Sequence, residues 1–159
     1  MTRDKQLVGA AGEYLVLSRL LNLGYLAAPA PRGTRKADVL VNPLDNRQPW
    51  LIQVKTTLRT DGRAKWHMKE KHEEISDEDM LYCFVDLDDK DSDIYVIPAK
   101  KVSQVITDSY RAWLKTPGKK GQAHNETAMR WITSDYPWKV PTAKPGWMDK
   151  YLENWEQLG

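Results

Sequence analysis

The chain has 159 residues, 41% hydrophobic and 29% charged, with one cysteine, seven tryptophans and a formal net charge of +2. These figures set aside a compositionally disordered polypeptide, an internally disulfide-bonded scaffold and a cysteine-rich zinc module, and they suit one compact domain with a sizeable core. Near-neutrality conceals a blockwise dipole: residues 1–72 hold 13 Lys/Arg against 6 Asp/Glu, residues 73–93 hold 1 against 10, and residues 94–159 hold 10 against 6. The first block suits an anionic partner.

Residues 6–23 predict a helix, because Leu7, Ala11, Tyr14, Leu15 and Leu21 recur at helical spacing and Gly24 stands where a helix stops. KADVLV (36–41) and WLIQVKTT (50–57) alternate and predict two strands, and NPLDNRQP between them carries the Pro, Asn and Asp of a hairpin turn. The polar stretch 58–79 predicts a short helix around Lys69 to Ile75. Two further strands, LYCFVDL and IYVIP, flank the acidic loop, with Cys83 as a core thiol. AKKVSQVITDSYRAWLK carries a helical apolar stripe at 102, 105, 106, 110, 113 and 114. Irregular structure is expected from TPGKKGQ to about 146, followed by a short helix in WMDKYLENWEQL. The expected architecture is an α/β layered domain over residues 1–159, with a Trp-rich extension from about 116. The opening MTRDKQLVGAAGEY lacks the apolar stretch of a signal peptide, and no run of about 20 apolar residues is present to span a bilayer. A cytoplasmic location is therefore expected.

Strand side chains alternate, so Gln53 and Lys55 share a face with Leu51 and Thr57, roughly 7 Å apart at the backbone. Hairpin pairing would bring Asp38 beside Gln53. On the first helix, Glu13 lies in a stripe with Gly9, Val16, Leu17 and Leu20, so it should point into the fold, and Gly9 and Gly12 would let that helix approach the sheet. Two carboxylates, an amide oxygen and an ammonium would then converge. Hard divalent cations take oxygen ligands, and a nearby lysine can stabilise an oxyanion or help deprotonate an attacking water. Periodicity alone leaves a blander reading open, with Glu13 a partly solvated helix residue and Asp38 the start of a strand.

GAAGEYLVLSRLLNLGY, APRGTRKADVLV and WLIQVKTT together resemble the opening of PD-(D/E)XK nuclease domains, a superfamily that includes Holliday-junction resolvases, Mrr-like restriction enzymes and small intron-endonuclease-like bacterial proteins. The likeness covers residues 8–57, and Trp66, YCFVDL and IYVIPAKKV resemble the small bacterial group more loosely. It implies a restriction-endonuclease-like fold with a central mixed sheet of about four to five strands flanked by helices. By position, Glu13 is similar to the helix glutamate, Asp38 to the central aspartate, and Gln53 with Lys55 to the (D/E)XK element in its QXK form. Ala37 stands where a proline is usual, and Gln53 replaces an acidic ligand, as in Mrr-like members.

The resemblance implies phosphodiester hydrolysis in nucleic acid, expected to be DNA. Mg²⁺ or Mn²⁺ would be held by Glu13, Asp38, Gln53 and the Val54 carbonyl, and Lys55 would act at the attacking water. Arg32, Arg35 and Lys36 would meet phosphates beside the scissile bond, and Thr57 would touch substrate or water. A homodimer is a candidate assembly, because so small a chain has no separate recognition domain. The alternative is a nuclease fold that no longer cuts and serves as a nucleic-acid or protein-binding module, with Gln53 as the feature that favours it. Lys115, Lys119 and Lys120 read as a solvated loop, and the tail tryptophans as packing residues. DLDDKDSD lacks the glycine and terminal glutamate of an EF-hand, and His67, His72 and His124 lack zinc spacing.

Overall fold

The computed structural model describes residues 2–34, 36–43 and 48–159. Arg35 and the centre of the expected hairpin turn, 44–47, lie outside the described residues. The elements run α1 (Lys5–Asn22), β1 (Leu26–Pro29), β2 (Val39–Asn42), β3 (Trp50–Leu58), β4 (Lys65–Lys69), a 3₁₀ turn (Glu70–Glu73), β5 (Met80–Leu87), β6 (Asp93–Pro98), α2 (Ala99–Lys115), β7 (Met129–Thr133), and 3₁₀ turns at Asp149–Tyr151 and Trp155–Leu158. Five strands form a mixed sheet in the order β1-β2-β3-β5-β6, antiparallel except for the parallel β3–β5 pair. β4 and β7 form a separate two-stranded antiparallel sheet.

The Asp4 carboxylate caps α1 by accepting from the Gln6 N–H at 2.7 Å, and Gly24 ends it in the left-handed region at φ 91°. Its buried line is Gly12, Val16 and Leu20. These pack on the sheet face that holds Ile52, Val54, Leu81, Cys83 and Val85. The opposite face, with Met80, Tyr82 and Phe84, packs on α2 through Val102, Val105 and Ile106, and on Trp66, Met68 and Ile132 of the two-stranded sheet. The Trp66 indole N–H is satisfied at the Val85 carbonyl, 3.0 Å away. On the outer side of α1, Leu7 and Tyr14 remain 70% and 68% exposed and Leu21 50%.

Three strands and two helices differ from expectation. β1 is a four-residue edge strand ending in Pro29, too short for alternation to show. β4 and β7 pair across some sixty residues, so neither local polarity nor Pro/Gly content signals them. The expected helix at 147–158 is instead two 3₁₀ turns. Leu152 bridges Tyr95, the Glu153 N–H donates to the Ile94 carbonyl at 2.8 Å, and Glu153 turns left-handed at φ 48°. Pairing with β6 wins over the helical pattern. The helix expected near Lys69 is only the single turn Glu70–Glu73. Cys83 is buried, and DLDDKDSD is the β5–β6 hairpin loop, closed by reciprocal bonds between Asp88 and Ser92.

Candidate functional site

Asp38 is fixed at three atoms. Its N–H donates to the Ile52 carbonyl at 2.8 Å, its carbonyl accepts from the Ala30 N–H at 2.8 Å, and its Oδ2 accepts from the Val54 N–H at 2.8 Å. β2 pairs with β3 only as far as Val39↔Ile52, so the Asp38 side chain takes the position where the next backbone bond would form. Alternate residues of a strand direct their backbone groups to the same side. The Val54 carbonyl therefore faces the same gap as its N–H. The loop before Asp38 turns through two left-handed residues, Gly33 at φ 80° and Lys36 at φ 68°. The second is unusual for a lysine, and Lys36 is tied to Asp77 at 3.3 Å.

The register Val39↔Ile52 sets Asp38 opposite Gln53, and Gln53 stands beside Tyr82 in the parallel pair, with Lys55 beside Phe84. Gln53 Oε1 is buried and has no hydrogen-bond partner among the described residues. Burial pushes the Lys55 ammonium below its ordinary pKa, the Asp38 carboxylate opposes that, and Lys71 and Lys69 add to it. Asp38, Gln53 and Lys55 thus share one face of the sheet at the middle of β3. Glu13 arrives from the other face. α1 packs on the side of Val54 and Thr56, so closely that a Cβ on Gly12 would lie 1.8 Å from Thr56 Oγ1. Partial desolvation and then the Asp38 carboxylate raise the pKa of the Glu13 carboxyl, so the two acids sense one another across the gap. Contrary to the expected inward stripe, Glu13 is an exposed residue, because the buried line of α1 runs through Gly12 rather than Gly9 and Glu13.

Two neighbours of Gln53 and Lys55, His72 and Tyr82, are polar and buried. His72 is 2% exposed, and its Nδ1 lies 2.9 Å from the Lys69 N–H and 3.1 Å from the Lys69 carbonyl, so the tautomer sets which of the two it bonds. Among the described residues, buried Nε2 has no partner, nor has the hydroxyl of Tyr82, whose ring lies 6.2 Å from the imidazole. Burial, then Lys55, lowers the His72 pKa to about 4, so the ring is neutral at physiological pH. Burial raises the Tyr82 phenol, helped by Asp77. Each uncompensated polar atom costs about 1–3 kcal/mol. Three in one neighbourhood beside an ammonium is an arrangement that folding alone does not favour. Neither residue carries a local motif, and only the parallel register brings Tyr82 to Gln53.

The remaining expected contacts are dispersed. Arg32 and Lys36 are exposed on the loop ahead of Asp38, and Arg35 lies outside the described residues. Thr57 is the register neighbour of Asp86, an acidic setting. The acidic block 73–93 is not remote from these residues. Parallel pairing runs β5 alongside β3, which sets Asp77 against Lys36 and Asp86 beside Thr57. Among the described residues no three His, Cys, Asp or Glu side chains gather as a metal-binding group. Of the four oxygen groups in this region, two are carboxylates, and the others are the Gln53 amide and the Val54 carbonyl. That set fits a hard divalent ion, with the orphaned Gln53 Oε1 as the atom that needs one most.

No family model matches the chain, and no curated protein matches it. Among solved structures it is similar to a bacterial homing endonuclease, I-Ssp6803I, with a TM-score of 0.53 and 16% identity over 98% of this chain and 91% of that one. The chain has a nuclease-like fold. The likeness lies in the path of the backbone, whereas the meeting of Asp38, Gln53 and Lys55 lies in the side chains. The two observations are independent. In this nuclease-like fold no described helix is long and apolar enough to cross a membrane.

Proposed function

We propose that the protein is a Mg²⁺- or Mn²⁺-dependent endonuclease of the PD-(D/E)XK type in its QXK form, hydrolysing phosphodiester bonds in DNA. The observation that carries this reading is the buried, unpartnered Gln53 Oε1 opposite Asp38 and two residues from Lys55, on a nuclease-like fold. Asp38, Glu13, Gln53 and the Val54 carbonyl would hold the ion. When bound, a divalent ion supplies Lewis acidity toward a phosphoryl oxygen and favours deprotonation of water. Asp38 is held rigid by its three hydrogen bonds, which keeps its carboxylate in place as charge changes around it. Lys55 sits where its ammonium can neutralise charge developing on the phosphate, and its lowered pKa eases transfer of a proton at Nζ. Neutral His72 and Tyr82 exclude bulk water from beneath Gln53 and Lys55.

A second copy of the chain fits the exposed seam of α1. Leu7, Ala11, Tyr14, Ser18 and Leu21, all exposed, follow the alternating 4- and 3-residue spacing by which one helix packs on another like itself. A second reading, a module that binds without cutting, is favoured by one observation, the amide of Gln53 where a carboxylate would bring charge. Incubation of supercoiled plasmid with protein and Mg²⁺ or Mn²⁺, fraction by fraction from a sizing column, separates these. The nuclease reading expects metal-dependent nicking in the dimer fractions that disappears in Lys55→Ala. Plasmid binding with no nicking in any fraction leaves the binding module.

A further inference from the structure

The sheet formed by β4 and β7 has two faces of opposite chemistry. The inner one carries Trp66, Met68 and Ile132, all buried in the core. The outer one carries Lys65, His67 and Lys69 on β4, all exposed, with Trp131 and Met129 opposite them on β7. Neither strand contains an Asp or Glu. Lys65 Nζ lies 4.1 Å above the Trp131 ring, and Met129 is 51% exposed. The ribbon is held at both ends of β7: Thr133 Oγ1 donates to the Ala64 carbonyl at 2.8 Å, and buried Arg130 pairs with Glu73 and stacks on Tyr110 at 3.4 Å. It also leads to the site, because Lys69 and the following Lys71 are the two lysines whose charge bears on Lys55.

We propose that the outer face of the β4–β7 ribbon is a docking surface for duplex DNA, with Lys65 and Lys69 on the phosphates and Trp131 and Met129 turned toward the groove. This rests on the reading of the candidate site as a DNA nuclease, and it names the form of nucleic acid presented to that site. Two antiparallel strands lie about 4.8 Å apart, and the major groove, about 12 Å wide, admits a ribbon of that width. Lys65 and Lys69 stand roughly 13 Å apart along β4, so both follow one phosphate backbone while the apolar side chains on β7 point inward. A rigid, acid-free, basic and aromatic ribbon continuous with Lys55 has the charge complementarity that a polyanion requires.

The test is binding of a labelled 30-base-pair duplex, and of one of its strands alone, in EDTA over a range of salt, for the wild type, Lys65→Gln/Lys69→Gln and the control Lys119→Gln/Lys120→Gln. All four lysines are exposed, and thermal melting confirms that each variant folds. The double ribbon variant is expected to bind duplex at least tenfold more weakly, with the slope of log K against log salt reduced by about 2. The control should stay within twofold. Unchanged duplex binding by the ribbon variant overturns the proposal, as does a loss confined to the single strand. Plasmid nicking keeps the two claims apart. A ribbon variant that nicks with unchanged KM refutes the ribbon and leaves the nuclease. Lost duplex binding in a protein that never nicks supports the ribbon and refutes the nuclease.

Discussion

Asp38, Gln53 and Lys55 owe their meeting to strand alternation and to a ladder that stops one residue early, so that a carboxylate rather than a backbone carbonyl accepts the Val54 N–H. That much was legible, because period-2 alternation is local. His72 and Tyr82 were not, since their significance depends on burial and on a parallel register set by segments far apart in the chain. His72 has a measurable consequence. Its native pKa of about 4 lies below the ordinary 6.5, because burial and the charges of Lys55, Lys71 and Lys69 outweigh the favourable bond to Lys69. Above pH 6.5 the ring is neutral in both folded and unfolded chains and contributes nothing to pH dependence. Between 6.5 and 4 the unfolded chain takes up the proton and the native one does not, so stability falls as pH falls, by up to about 3 kcal/mol. Urea unfolding from pH 7 to pH 4 should show a shallower loss in His72→Gln than in the wild type. Parallel curves would mean that the ring is protonated in the native state.

At the scale of elements, α1 comes very close to β3 where Gly12 meets Thr56, and the placement of Glu13 depends on that approach. A methyl group on Gly12 would meet Thr56 Oγ1 at 1.8 Å and Thr56 Cβ at 2.9 Å, and no rotamer change of Thr56 moves the Cβ. Gly12→Ala should destabilise the protein by about 1–3 kcal/mol, with partial recovery in Gly12→Ala/Thr56→Ala, where the nearer atom is gone. Chemical unfolding of the two variants checks this, and a wild-type midpoint in Gly12→Ala would show that α1 stands off the sheet. The helices α1 and α2 and the strands β3, β5 and β6 were readable because each is long enough for its period to show. β1, β4 and β7 have only four or five residues and take their identity from partners. Glu13 was placed on the wrong line of α1 for a related reason. The helical stripe admits two adjacent lines, through Gly9 and Glu13 or through Gly12, and the close approach to Thr56 selects the second.

Over the whole molecule, the charge blocks seen in the sequence do not become opposite poles. Acidic side chains of the middle block neutralise basic ones one by one, Asp77 at Lys36, Asp86 and Asp93 at Arg59, and Glu73 at Arg130. Lys55, Lys65, Lys69 and Lys71 form no ion pair among the described residues. Basic side chains without an ion pair among the described residues therefore run from the ribbon to the Lys55 position of β3.

The central claim is that α1, the Asp38 loop and β3 together hold one divalent ion. Thermal melting with and without Mg²⁺ or Mn²⁺ reports this directly, because a ligand that binds only the folded chain stabilises it by about 1.4 kcal/mol at ten times its Kd, roughly 3–6 °C for a chain of this length. The wild type should show such a shift and Asp38→Asn should not, although Asp38→Asn should melt at or slightly above the wild type without metal, since a carboxylate facing Glu13 is gone. Gln53→Glu should melt lower without metal and gain more from it, because a third carboxylate adds repulsion to the empty group and affinity to the filled one. The account predicts that order of shifts, Gln53→Glu above wild type above Asp38→Asn. The absence of a metal-dependent shift in both the wild type and Gln53→Glu would contradict it.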